Sequence, residues 1–270
     1  MESLAARIAL RAWVGLVVLF LFTPIVLILV YAFNASNIQT WPIAGFSLRW
    51  FGSAFANEEI RTALWLSLKA SLVATSIALL LGSAAALAVH RYAFFGRETV
   101  SFIVVLPIAL PGIITGMALN SFFVFWGIGL SFWTIVIGHA TFCIVIVYNN
   151  VIARLRRVPL SLEEASMDLG ADPWRTFRRV TWPMISTSLV AGALLAFALS
   201  FDEVIVTTFT AGAQNTLPLW IFGAIRLGQK LPEVNVVVLV IMAATFIPVL
   251  LAYRLTHEGG GMVRPVNLCR

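Results

Sequence analysis

Ser161-Leu-Glu-Glu-Ala-Ser-Met-Asp-Leu-Gly170-Ala-Asp-Pro-Trp-Arg-Thr-Phe-Arg-Arg-Val-Thr-Trp-Pro183 is a polar stretch set between two long apolar segments. It carries its own helix punctuation. Ser161 and Glu164 have the S-x-x-E spacing of a capping box, in which the serine hydroxyl accepts from the Glu164 amide and the carboxylate returns to the Ser161 amide. Gly170 supplies a left-handed stop. Asp172 is placed to cap a second helix, with Pro173 in its first turn. That helix sets Trp174, Phe177, Val180 and Thr181 at spacings of three and four, with Arg175, Arg178 and Arg179 largely elsewhere, and Pro183 ends it. The stretch therefore reads as two short helices. Such a pair can lie on a membrane surface or seat in the groove of a soluble partner.

The surrounding chain decides where the pair sits. Of the 270 residues, 60% are hydrophobic and 11% charged, with a mean hydropathy of +0.96. A soluble domain carries roughly 25% charged residues, so the composition excludes one and implies an all-α integral membrane protein. Six segments have spanning length: 13–33, 63–89, 101–126, 132–153, 185–209 and 234–255. Each offers the ~20 apolar residues that a hydrocarbon core of about 30 Å requires. The first follows Arg7 and Arg11, is too long for the apolar core of a cleavable signal, and reads as a retained first helix. Cys143 and Cys269 have neither metal-ligand nor redox spacing.

Net charge is +6, and its distribution follows topology rather than a nucleic-acid surface. Arg7, Arg11, Arg91, Arg97, Arg154, Arg156, Arg157, Arg175, Arg178, Arg179, Arg254, Arg264 and Arg270 fall on one side of the six segments. Arg49, Arg61, Arg226 and Lys230 fall on the other. The positive-inside rule puts both termini, and 161–183, in the cytoplasm. The outer stretches 34–62, with Trp41, Trp50 and Phe51, and 210–233, with Pro218 and Pro232, read as interfacial loops, open to an extracytoplasmic partner.

On these residues the chain resembles the permeases of ATP-binding-cassette importers. Their signature is Glu-Ala-Ala, three residues, Gly, nine residues, Ile, one residue, Leu-Pro. Here Glu164-Ala165-Ser166, Gly170, Val180 and Trp182-Pro183 stand at those spacings, with Ser166, Val180 and Trp182 departing in type. The strings Tyr31-Ala-Phe-Asn34, Leu106-Pro-Ile-Ala-Leu-Pro-Gly112, Gly138-His-Ala-Thr-Phe-Cys143 and Leu199-Ser-Phe-Asp-Glu-Val204 extend the resemblance over nearly the whole chain, toward the spermidine/putrescine group. The resemblance implies a single permease domain over 1–270 with the six-span type I importer fold, in the bacterial inner membrane. Its coupling helices, carrying Glu164, Ala165, Ser166, Gly170, Ala171, Asp172 and Pro173, seat in the ATPase. It implies a second, homologous permease, an ATPase dimer that binds the ATP and Mg, and an extracytoplasmic solute-binding protein; no cofactor belongs to this chain. The cargo implied is a small cation of the polyamine type, putrescine or spermidine, with an amino-acid-like solute as the alternative. The chain has no G-x-x-x-x-G-K-S/T phosphate loop of its own.

Acids inside spans cost about 2.5–3.5 kcal/mol near the centre and are functional by default. Asp202 and Glu203 lie about 17 residues into the fifth segment, some 25 Å up a continuous helix at 1.5 Å per residue. Adjacent residues point about 100° apart, so one acid can line a path while the other pairs elsewhere; Asp202 is favoured for the path. Their alternative is an ion pair with Lys69 or a snorkelling end. His139 reads as packed or hydrogen-bonded, Asn120, Asn149 and Asn150 as helix glue, and Pro107, Pro111 and Gly112 as a break in the third segment. A gradient-driven carrier and a membrane enzyme are the rival classes. Neither an inverted repeat nor a catalytic triad or metal cluster is visible.

Overall fold

The structure, a computed structural model, describes residues 4–259, with side chains from 246 onward and that of residue 5 left out. The expectations placed on Arg254, Arg264, Arg270 and Cys269 fall outside the described residues or side chains. Twelve α-helices follow one another among the described residues: α1 Leu4–Ala32, α2 Arg49–Ala56, α3 Glu58–Arg91, α4 Arg97–Ala109, α5 Gly112–Phe125, α6 Phe132–Leu155, α7 Ser161–Asp168, α8 Pro173–Thr176, α9 Trp182–Phe201, α10 Ile205–Thr210, α11 Leu217–Leu227 and α12 Leu231–Gly259. A π turn, Phe177–Thr181, joins α8 to α9. No strand occurs among the described residues; an isolated antiparallel bridge joins Asn34 and Phe46.

Four helices are long and apolar enough to cross a membrane: Ala6–Ala32, Glu58–Arg91, Phe132–Leu155 and the continuous Pro173–Phe201. The expected third segment is not one straight helix. α4 and α5 meet at 105°, because Leu110 is extended and Pro111, also extended, caps α5 without an amide of its own. Counted as one bent span, the pair makes five. The sixth segment, 234–255, falls on α12, whose described apolar part ends at Thr245. The fifth, 185–209, is also interrupted: α9 stops at Phe201 and α10 resumes at Ile205. The outer stretch 210–233 holds α11, with Leu217, Pro218 and Trp220 buried, so part of it is core rather than interfacial loop.

The chain divides into two compact units. In Met1–Glu58 with Gly223–Arg270, α12 packs on α1 and α2. Buried Glu233 there accepts from Ser53 (2.5 Å) and Asn57 (2.9 Å). Asn34 organises the loop before α2: its carbonyl accepts from the Trp50 indole, and its side chain from the amides of Ser36 and Ala44.

In Glu59–Phe222 the central helix is α6, two-thirds of whose spanning stretch (67%) is buried. Its Cys143, Val147, Val151 and Leu155 join Ala78, Ala86, Ile185, Leu189, Ala196 and Val206 in the main core cluster. Between membrane helices little hydrophobic driving force remains, so close approach through small residues does the packing. A Cβ on Gly82 of α3 would lie 2.8 Å from the Ile144 carbonyl and 3.0 Å from Val147 Cβ; one on Gly192 of α9 would lie 3.5 Å from Val147 Cα. α6 is thus held from both sides at Val147. Gly82→Ala forces backbone against backbone and should cost about 1–3 kcal/mol, read as an earlier transition in a denaturing-detergent titration of the purified chain. Leu80→Ala on an exposed position should shift it by no more than about 0.5 kcal/mol. Equal midpoints for the two variants would refute the packing.

Candidate functional site

The 161–183 hairpin has an inner and an outer face. Its first helix does not begin as the capping box requires. Leu160 is already helical (φ −59°, ψ −27°), and its carbonyl, not the Ser161 hydroxyl, receives the amides of Glu163 and Glu164. A capping serine needs extended backbone; Ser161 is one residue too far inside the helix. The stop at Gly170 forms as expected. With φ at +85°, Gly170 donates its amide to Met167 while Ala171 donates to Ser166, the paired bonds of a Schellman motif. Asp172 then caps α8 by accepting from the Arg175 amide at 2.9 Å, with Pro173 next in line.

Pro183 does not end the second helix. The chain runs helically from Pro173 to Phe201. A proline in a regular helix clashes with the carbonyl four residues back; here the preceding turn widens to π, and Trp182 donates to Phe177, five residues back. Trp182, one of the departures from the signature, packs its ring on Phe177 (centroids 6.2 Å). Ser166, another departure, lies 3.1 Å from the hydroxyl of buried Thr176 and so ties α7 to α8.

The residue that sequence reasoning passed over is Glu163. It is buried, whereas Glu164 and Ala165 are exposed. Glu163 Oε2 accepts from Arg91 Nη2 at 2.6 Å and Nε at 3.0 Å, and Oε1 accepts from Thr181. One carboxylate thereby ties α7 to the end of α3 and to the π turn before α9. Burial alone would raise its pKa; the hydrogen bonds of Thr181 and Arg91 and the charges of Arg91 and His90 outweigh that and lower it from the ordinary carboxylate value. The available signal was the adjacent pair Glu163-Glu164, with one acid 100° away from the signature's own. On the other face Leu169 is 90% exposed and Trp174 67%, beside Gly170, whose added Cβ would meet nothing. The Asp172–Arg175 ion pair (3.2 Å) is solvent-exposed and contributes little stability.

A second cluster surrounds the break after α9. Asp202 is the residue that ends α9 (φ −93°, ψ 2°) and its side chain is exposed. Glu203 is half-buried and accepts from the Val206 amide at 2.9 Å, capping α10. The two acids therefore do not ride a continuous helix. Lys69, the mate in the alternative ion-pair reading, lies over the Trp65 ring (5.7 Å). His139 is buried, with Nδ1 2.8 Å from Ser200 Oγ and Nε2 2.8 Å from Thr207 Oγ1. Asn120 donates to the Phe209 carbonyl at 2.7 Å, gluing α5 to α10; a Cβ on Gly116 would lie 2.6 Å from the Phe209 ring. Asn150 instead bonds within α6, to Ile146, and Asn149 is exposed at a groove of about 490 Å³ with Arg154, Arg157, Thr187 and Ser188. From that groove Thr187, Ala191, Leu194, Ala198 and Asp202, all exposed, fall within an arc of about 80° on α9 at 100° per residue.

Comparison with known proteins agrees with this architecture. The family model described as binding-protein-dependent transport system inner membrane component matches residues 78–257. The chain is 36% identical over 245 residues to the putrescine transport system permease protein PotI of Escherichia coli (strain K12), covering 87% of this chain and 86% of that one. It is 32% identical over 251 residues to the spermidine/putrescine transport system permease protein PotC of Shigella flexneri, covering 91% and 94%. In fold it is similar to a chain from the crystal structure of a bacterial ABC transporter involved in the import of the acidic polysaccharide alginate (TM-score 0.67, 17% identity, 96% and 98% covered). The chain belongs to the family of binding-protein-dependent inner membrane transport components, the permeases of ATP-binding-cassette importers. It is a multi-pass transport component of the inner membrane rather than an enzyme, and works in a complex with a partner permease and an ATPase.

The Glu163 clasp has a defined pH range. Because the folded carboxyl titrates below its ordinary value, its contribution is complete above that ordinary value and lost only as pH falls through the lower folded value. Glu163→Gln should weaken the anchoring of α7 by about 1.5–3 kcal/mol, seen as faster amide exchange in α7 at pH 7. In unfolding titrations the deficit should be constant from pH 8 to about 5 and close at more acid pH. Parent-like exchange at pH 7 would remove the clasp.

Proposed function

We propose that the 161–183 hairpin is the coupling element that docks in the cytoplasmic ATP-binding-cassette ATPase, and that the whole chain works as one permease domain forming half of a translocation path. The observation that carries this is the hairpin's division of faces: Glu163, Ser166 and Thr176 are turned into the protein, while Glu164, Ala165, Leu169, Gly170, Asp172, Pro173 and Trp174 are exposed around a rigid turn. An exposed apolar patch with a polar rim marks a partner surface. Ala171, half-buried, completes the turn. The basic residues of this side, Arg91, Arg154, Arg157 and Arg175 among them, favour cytoplasmic hairpin and termini by the positive-inside rule. ATP and Mg belong to the ATPase dimer; a second, homologous permease and an extracytoplasmic solute-binding protein complete the importer.

The cargo we infer is a polyamine. Relatives named for putrescine and spermidine transport match most of the chain, and Asp202 offers an exposed carboxylate at the end of a stripe that begins at the Asn149–Thr187 groove. A carboxylate there replaces hydration lost by an ammonium group. Glu203 serves the same region mainly as a helix cap.

Gly170→Asp should leave membrane insertion intact while abolishing co-purification of the ATPase: the substituted residue must hold φ +85°, which aspartate tolerates at some strain, and the new charge enters the docking face. ATPase recovered at the parental level would overturn the coupling role. Asp202→Asn, assayed by uptake of labelled putrescine and spermidine in cells carrying the intact importer, should lower uptake about tenfold or more, as expected for one lost charged contact of ~1.5–3 kcal/mol. An unchanged rate takes Asp202 off the path, and uptake of an amino-acid-like solute but neither amine refutes the polyamine reading.

A further inference from the structure

The α9–α10 break is held against α6 by contacts in register. From α6, Cys143 Sγ meets the Ala196 carbonyl (3.3 Å), His139 meets Ser200 and Thr207 (2.8 Å each), and Thr134 donates to the Thr210 carbonyl (2.7 Å). Cys143 thus grips the helix before the break and Thr134 the helix after it. Among the described residues, His139 is the side chain that hydrogen-bonds both sides. For a neutral imidazole the proton positions follow from valence. Thr207 spends its hydroxyl hydrogen on the Glu203 carbonyl at 2.7 Å, so its oxygen must accept from His139 Nε2–H. Nδ1 is then an acceptor, and Ser200 donates to it. The result is one directional chain, Ser200 to His139 to Thr207 to the Glu203 carbonyl, while the Glu203 carboxylate closes the α10 amide of Val206.

We infer that His139 is a positioning residue for transport: a neutral imidazole strut that fixes the width of the 202–204 break and so sets the Asp202 carboxylate outward on the exposed face of α9. The chemistry explains the residue type. The strut must accept at one end and donate at the other across the gap between two helix ends, in a site where an unpaired polar group is costly. A leucine fills the space but leaves Ser200 unpartnered and Thr207 short of a donor. A glutamine supplies one acceptor and one donor on its terminal amide and can rebuild the chain. The inference rests on the reading of Asp202 as a path residue for its functional meaning, but its geometric content is independent of it.

The experiment uses the intact importer complex in nanodiscs, with Asp202→Cys as reporter in a Cys269→Ala background; Cys143 stays in place because it is buried. The readout is the rate of reaction of the reporter with a positively charged methanethiosulfonate, corrected for labelling of the same complex retaining Asp202. His139→Leu and Thr207→Val should each change that rate about fivefold, the effect of one lost hydrogen bond, and His139→Gln should return it to within about twofold of the parent. Separately, with Asp202 in place, His139→Leu should raise the apparent KM for labelled putrescine while the ATPase co-purifies at the parental level. If His139→Leu does not assemble, Thr207→Val and Ser200→Ala carry the same labelling test. Unchanged labelling in Thr207→Val and Ser200→Ala, or a His139→Gln rate as displaced as that of leucine, overturns the strut. The Asp202→Asn uptake assay answers separately: normal uptake there with altered labelling here leaves the strut standing and removes Asp202 from the path.

Discussion

Inside a bilayer a backbone amide or carbonyl has no water to turn to, and each one left open costs several kcal/mol. A helix that stops within or near the membrane must therefore have its ends closed by protein. Among the described residues two of the expected spans are interrupted partway, before Pro111 and after Phe201. The first stop is closed locally: Pro111 brings no amide, and its carbonyl takes those of Ile114 and Thr115. The second is closed by side chains: the Glu203 carboxylate takes the Val206 amide, and Thr207 reaches the Glu203 carbonyl. The two stops are also joined, since α5, which begins at the first, packs along α10, which begins at the second, through Gly116 and Asn120. α6 carries the second break on its own ladder of contacts, and its burial follows from that duty.

The same need for closure explains how the hairpin is attached. A short helix such as α7, of 8 residues, is marginal alone in water. It persists because its stop at Gly170 is closed by two backbone bonds and its inner face holds Glu163 between Arg91 and Thr181. The π turn makes α8 and α9 one rod in spite of Pro183. From α7 an unbroken set of side-chain contacts reaches α3 through Arg91 and the start of α9 through Thr181.

What sequence alone revealed divides along physical lines. The apolar segments and the stop-and-cap pair Gly170 and Asp172 were readable because they depend on local hydropathy and local backbone geometry. The Ser161 cap was misread because the helix starts one residue earlier, at a boundary that spacing does not fix. The continuity through Pro183 was hidden because a π turn depends on where the carbonyls can widen, not on composition. The break between α9 and α10 was hidden because the apolar run from Leu189 to Leu199 and the apolar residues after Glu203 give no break signal other than two acids, which read as passengers of one helix. Glu163 and His139 were legible as residues but not as roles, since Arg91, Thr181, Ser200 and Thr207 reach them from distant parts of the chain.

Two adjacent acid pairs show one principle at work in both regions. Neighbouring residues on a helix or at its end point roughly 100° apart, so a pair of acids in sequence cannot share a single task. Glu163 turns inward and is spent on Arg91 and Thr181, leaving Glu164 exposed. Glu203 is spent on the Val206 amide, leaving Asp202 exposed. In each pair the consumed carboxylate stabilises the local backbone on which its neighbour is presented. The two acids are tolerable side by side because the inner one is held by a guanidinium and a hydroxyl, or by a helix-end amide. Reversing either pair's burial would expose a carboxylate whose supporting turn had lost its own closure, so presentation of the free acid and stability of the turn are a single property of the doublet.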